Sequence, residues 1–152
     1  MARTTISVDA PPERVWAVLA DPACYAEWVV GSRDVRDADH GFPAAGTRFH
    51  HTVGWGPLQL RDHTLVLDAA PPHRLVLRAK SRPLGTATVV VEVLGDGRRG
   101  SRVTLIENAG DALTSLVFNP LTHLLVRGRN AESLRRLKRL AERAPRPRPA
   151  GT

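Results

Sequence analysis

Residues 4–36 read TTISVDAPPERVWAVLADPACYAEWVVGSRDVR, and the order of elements within them decides the fold. Thr4 to Val8 has the composition of a short strand. Pro11 and Pro12 end it and suit the first turn of a helix. Val15, Trp16 and Leu19 then fall on one side of that helix, and Trp16 is expected in the core. A second brief helical turn begins at Pro22 and reaches Trp28.

Outward from this opening the pattern turns to strands. Val29 to Asp39 contains a strand whose polar residues mark a sheet edge. Thr47 to Trp55 alternates, with Phe49, His51 and Val53 on one face. Leu58 to Asp68 is the next strand, closed by Ala70-Pro71-Pro72. Arg74 to Lys80 places Leu75, Leu77 and Ala79 on one face and Arg74, Arg78 and Lys80 on the other. Thr86 to Leu94 aligns Ala87, Val89, Val91 and Val93, and Gly95-Asp96-Gly97 is a hairpin signal. Arg102 to Asn108 follows, with Val103, Leu105 and Glu107 sharing a face. Such spacing belongs to an antiparallel meander.

The chain then turns helical. Pro120 suits a first helical turn. Asn130 could instead cap a helix start, with Leu134, Leu137 and Ala141 as its apolar stripe. Leu121, Leu124 and Leu125 form another stripe. At about 100° per residue the two stripes lie nearly opposite each other. Either the helix breaks near Gly128 to Asn130, or it is continuous and turns Asn130 toward the sheet.

The chain has 152 residues, enough for one domain with a sizeable core. With 42% hydrophobic and 24% charged residues, it is not a disordered chain. No apolar run approaches the roughly 18–20 residues of a membrane span, so stable membrane insertion is not expected. Arg3, Asp9 and Glu13 interrupt any signal-peptide core, and the single cysteine, Cys24, cannot form an internal disulfide. A cytoplasmic location is the expectation. Of the formal net charge of +7, all lies beyond Val126, where nine basic residues face two acidic ones. That segment could touch nucleic acid or an anionic membrane. The plainer reading is a solvated helix face followed by a frayed end, and no nucleic-acid partner is expected. Residues 1–143 are read as the domain and 144–152 as a disordered basic, Pro-rich tail. The sequence leaves a monomer and a homodimer equally open.

The opening Ala10-Pro11-Pro12-Glu13-x-Val15-Trp16-x-x-Leu19-x-Asp21-Pro22, set after a strand, resembles the START-like (SRPBCC) superfamily, and its polyketide cyclase/dehydrase-type, lipid-transport-like subgroup in particular. The stretch from Thr52 to Gly110 and the closing RGRNAESLRRLKRLAE look like the same subgroup. The resemblance implies an α+β helix-grip fold. A curved sheet of six to seven antiparallel strands would wrap a long C-terminal helix, with two short helices after strand 1. It also implies a cavity between sheet and helix for a lipid-, polyketide- or isoprenoid-like molecule. Some members are cyclases or aromatases. Membership marks a fold more firmly than a reaction. The physics agrees, because one helix is too narrow to cover six strands and the remainder can be a pocket, typically of roughly 300–1,000 Å³.

Strand parity supplies candidate wall residues: Phe49, His51, Leu77, Val91, Leu105 and Glu107. Trp28 joins them from the end of the short helices, and Asn130 from the stripe of Leu134 and Leu137. His51, Asp62 and Glu107 are the inward polar groups, hence the candidates for proton transfer. The competing reading pairs Glu107 with Arg129 or Arg127 and bonds Asp62 to backbone. Cys24 reads as a structural thiol rather than a nucleophile. His50 and His51, adjacent on a strand, point to opposite faces and cannot share a metal. No metal and no cofactor are expected. Trp55, between two glycines, either gates the pocket mouth or folds over the sheet edge.

Overall fold

The computed structural model describes residues 2–30, 32–55, 57–81, 85–97, 99–109 and 120–143. The strands are β1 (Ala2–Val8), β2 (Ser32–Ala38), β3 (Arg48–Trp55), β4 (Leu58–Ala70), β5 (Arg74–Ser81), β6 (Gly85–Gly95) and β7 (Ser101–Ala109). They form one seven-stranded antiparallel sheet in the order β1-β7-β6-β5-β4-β3-β2. From β2 to β7 the path is a meander, and β1 closes against β7. Strand β2 is thus an edge, as its polar composition implies.

Helix α1 (Pro12–Leu19), a 3-10 turn (Pro22–Cys24) and α2 (Tyr25–Trp28) carry the chain from one sheet edge to the other. The Asp21 carboxylate accepts from the Ala23 N–H at 3.0 Å, and Pro22 follows it, so the turn starts where an acidic cap and a proline coincide. Helix α1 buries Val15, Val18 and Leu19, whereas Trp16 is only partly buried. This corrects the placement of Trp16 in the core. At about 100° per residue Val15, Val18 and Leu19 cluster, and Trp16 stands on the shoulder of that stripe.

Helix α3 (Pro120–Glu142) is continuous through Gly128, so Asn130 sits inside it rather than capping its start. Asn130 and Ser133 are buried toward the sheet beside Leu134, Leu137 and Ala141. The stripe of Leu121, Leu124 and Leu125, the Trp55 side chain and the tail 144–152 lie outside what is described.

The inward face follows the alternation. Leu75, Leu77, Val91, Val103 and Leu105 are buried, and Val89 packs against them partly buried. Two devices interrupt the alternation. A register shift between Val66 and Asp68 makes Leu67 the extra residue of β4, so the inward face passes from Val66 to Ala69, which packs against the core. The β6–β7 hairpin turns at Gly97, whose φ of +81° is open to glycine at little cost.

Candidate functional site

A cavity of about 160 Å³ lies between the sheet and α3. Its apolar wall comes from Phe49, Leu77, Ala79, Ala87, Val89 and Leu105. Backbone register explains its position. Leu75, Val91 and Leu105 are cross-strand neighbours, and so are Leu77, Val89 and Glu107. One row further, Ala79 faces Ala87. Two methyl groups where neighbouring rows carry leucine and valine leave the space. The volume falls below the range typical of sites that enclose a larger ligand, and it matches a single-ring molecule.

Of the sequence candidates, Trp28, Phe49, His51, Leu77, Leu105, Glu107 and Asn130 line the cavity. Val91 does not. It faces inward but is fully buried in the core, alongside Leu75. Parity selects a face of the sheet and is silent about depth along the strand, and the core fills that depth. Asp62 is also buried yet is absent from the wall, and its Oδ1 accepts from the His63 backbone N–H at 3.2 Å. The proposed trio of His51, Asp62 and Glu107 is therefore not gathered around one space.

Glu107 is held at three points. Arg129 Nη2 donates to its Oε1 at 2.7 Å and its Oε2 at 2.8 Å, and Asn130 Nδ2 donates to Oε2 at 3.0 Å. A carboxylate in an apolar wall needs such partners. A general base must instead reach a substrate proton with a lone pair to spare. His51 Nε2 and Thr64 Oγ1 are 3.0 Å apart, in a hydrogen bond whose direction follows the ring tautomer.

One end of the cavity is aromatic. Tyr25 and Phe49 have ring centroids 4.6 Å apart, Tyr25 and Trp28 5.1 Å, and Phe49 and His51 5.3 Å. The Tyr25 hydroxyl donates to the Leu19 carbonyl at 2.6 Å, and burial pushes its pKa up, so it stays a neutral structural group. Trp28 is 2% exposed, and among the described residues its buried indole Nε1–H has no hydrogen-bond partner. The Ser133 hydroxyl oxygen accepts from the Val30 N–H at 3.1 Å and ties the segment after α2 to α3. Sequence reasoning missed Ala79, Ala87, Thr64 and Ser133 as wall residues. The alanines share parity with Leu77 and Val89, Thr64 with Asp62, and Ser133 stands one turn after Asn130.

Cys24 is half-buried. Burial, with Asp21 and Glu27 nearby, pushes its thiol up to about 12, so it carries no thiolate at neutral pH. Among the described residues, no group of three or more His, Cys, Asp or Glu is placed to hold a metal ion. Among the described residues, no helix is long and apolar enough to cross a membrane.

The sequence profile of one family, described as polyketide cyclase / dehydrase and lipid transport, matches residues 2–142. The chain belongs to that polyketide cyclase / dehydrase and lipid transport family. No curated protein matches it. Among solved structures, protein NE0264 from Nitrosomonas europaea superposes with a TM-score of 0.70 at 16% identity, over 93% of each chain. Protein CV1439 from Chromobacterium violaceum gives 0.70 at 17% identity, over 94% of this chain and 98% of that one. The di-domain ARO/CYC BexL from the BE-7585A biosynthetic pathway gives 0.66 at 17% identity, over 95% of this chain and 50% of that one. At such identities these likenesses show the shared helix-grip fold, and the cyclase / dehydrase and lipid transport family spans both enzymes and carriers.

Proposed function

We propose that this family member binds a small hydrophobic molecule between the sheet and α3 and works as a carrier or sensor of it. The observation that carries the reading is the apolar cavity beside the facing Ala79 and Ala87. Family membership supports hydrophobic-ligand binding of this kind. Trp28, Phe49, His51, Leu77, Leu105, Glu107 and Asn130 are the proposed contact residues.

A cyclase or dehydrase activity is the second reading, and His51 is its remaining wall residue. Glu107, the other, is occupied by Arg129 and Asn130. Contact with a polyanion through the basic helix has less support. Arg135, Arg136 and Arg139 all lie within 4 Å of Glu132, Arg129 pairs with Glu107, and Lys138 pairs with Glu142. These three carboxylates offset three of the nine positive charges beyond Val126, and the reading rests on the remaining excess alone.

Native mass spectrometry of freshly purified protein tests the carrier reading. The expected result is a co-purified small molecule, or uptake of an added apolar probe in one-to-one ratio. Protein that carries nothing and takes up no apolar probe of single-ring size would count against it.

A further inference from the structure

We infer that Asn130 is the polar anchor of the cavity, and that its side-chain oxygen takes the hydroxyl of a neutral, single-ring ligand of the phenol or alcohol class. This rests on the binding role proposed above and adds the chemistry of the ligand.

The orientation of the Asn130 amide follows from its neighbour. A carboxylate only accepts, so the arm of the amide that meets Glu107 Oε2 at 3.0 Å is the Nδ2 arm. The oxygen is on the other arm, and among the described residues it has no hydrogen-bond partner. Unlike the Trp28 nitrogen it is not sealed, and it keeps surface that a water-sized molecule can reach. Asn130 as a whole is 4% exposed and is part of the cavity wall, so that small surface belongs to the cavity. A buried acceptor without a donor is unfavourable, and a hydroxyl supplies the donor. It makes the bond that a water molecule would make there, whereas an ether or an alkyl group forfeits it.

Charge selects a neutral ligand. The carboxylate and the guanidinium of the wall, Glu107 and Arg129, are matched in an ion pair at 2.7 Å. An ammonium would meet Arg129 with no free carboxylate, and a carboxylate would meet Glu107 with no free cation. Size completes the description. A cavity of about 160 Å³ accepts a benzene-sized body, and Phe49, Leu77 and Leu105 offer apolar surface to pack against it.

Four probes of equal heavy-atom number test this: 3-ethylphenol, its isomer ethoxybenzene, isopropylbenzene and 2-phenylethylammonium. Each is titrated by calorimetry into the full chain and into Asn130→Ala. In parallel, the side-chain carbonyl carbon resonance of Asn130 is followed by NMR in the full chain. The expected result is that the three neutral probes bind. 3-ethylphenol binds about three- to tenfold more tightly than ethoxybenzene, the range a neutral hydrogen bond supplies. That advantage shrinks to within about twofold in Asn130→Ala, where the acceptor is gone. 3-ethylphenol moves the Asn130 carbonyl carbon downfield beyond any shift that ethoxybenzene causes. The ammonium probe binds at least tenfold more weakly than 3-ethylphenol.

If isopropylbenzene binds but 3-ethylphenol has no advantage over ethoxybenzene, the anchor is wrong and the cavity reading stands. If the advantage survives in Asn130→Ala, the hydroxyl is held elsewhere in the wall and the anchor is again wrong. If 2-phenylethylammonium binds more tightly than 3-ethylphenol, the neutral class is wrong. If none of the probes binds, the cavity reading itself fails, and the anchor with it. Should Asn130→Ala fail to fold, the carbonyl resonance of the full chain decides alone.

Discussion

The two ends of the interface between α3 and the sheet are built from different kinds of residue and do opposite things. At the C-terminal end of the helix, Leu134, Leu137 and Ala141 are fully buried in one core with Val8, Val15, Leu19, Val93 and Val103. Polar stitches hold that end to β1 and the turn after it. Lys138 Nζ donates to the Ser7 carbonyl at 2.9 Å, and the Asp9 N–H donates to Glu142 Oε1 at 2.9 Å. At the other end, the helix presents Arg129, Asn130 and Ser133, and the sheet presents two facing alanines. Large apolar groups close one end, and small and polar groups leave the other open. A fold of this kind spends its packing energy at one end and keeps room for a guest at the other.

The largest effect should come from damaging the closed end. Leu137→Ala is expected to cost about 2–5 kcal/mol in chemical denaturation, because the surrounding core can collapse only partly. A cost well below 1 kcal/mol would show that this end is loosely packed. At the open end Glu107→Gln should cost about 1–3 kcal/mol by leaving Arg129 without its carboxylate, while affinity for isopropylbenzene stays within twofold. Loss of apolar binding in that variant would show that the charge of Glu107, and not the apolar wall alone, shapes the site for such a probe.

Smaller changes sharpen the contrast. A Cβ on Gly128 would meet nothing within 4 Å, so Gly128→Ala should stabilise the chain by about 0.5–1 kcal/mol. A loss of stability there would mean that the helix needs to bend at this point. Glu142 pairs with Lys138 and accepts from the Asp9 N–H, and both hold its carboxyl below the usual 4.5. A depressed folded-state pKa adds stability above the unfolded value and loses it as pH falls through the folded one. Glu142→Gln should therefore cost about 0.5 kcal/mol at pH 7, and the difference from the native chain should vanish below the ordinary carboxylate range. A difference that persists at low pH would point to packing rather than charge.

The sheet and its inward face were legible because alternation is a direct property of a strand, as with Leu75, Leu77 and Ala79 set against Arg74, Arg78 and Lys80. The bulge at Leu67 was not, since nothing in residues 65–69 distinguishes an extra residue from a regular one. Helix α3 hides a similar ambiguity. Asn130 has the chemistry of a cap and the position of a wall residue, and only packing against Glu107 chooses between them. Val91 shows the limit of parity, because it shares a face with Leu77 and Leu105 yet lies where the core has filled in. The cavity itself is recorded in Ala79 and Ala87, whose small size reads as ordinary until their register places them face to face.

Binding of isopropylbenzene to the native chain and to Ala79→Leu, measured by calorimetry, tests the open end most directly. The added side chain grows into the cavity from a partly buried position, where the core is not already full. The expected result is measurable one-to-one binding to the native chain, at least a tenfold loss in Ala79→Leu, and an unfolding midpoint that is unchanged or raised. Equal affinity in the two proteins, with the variant fully folded, would contradict the placement of the ligand between the sheet and α3.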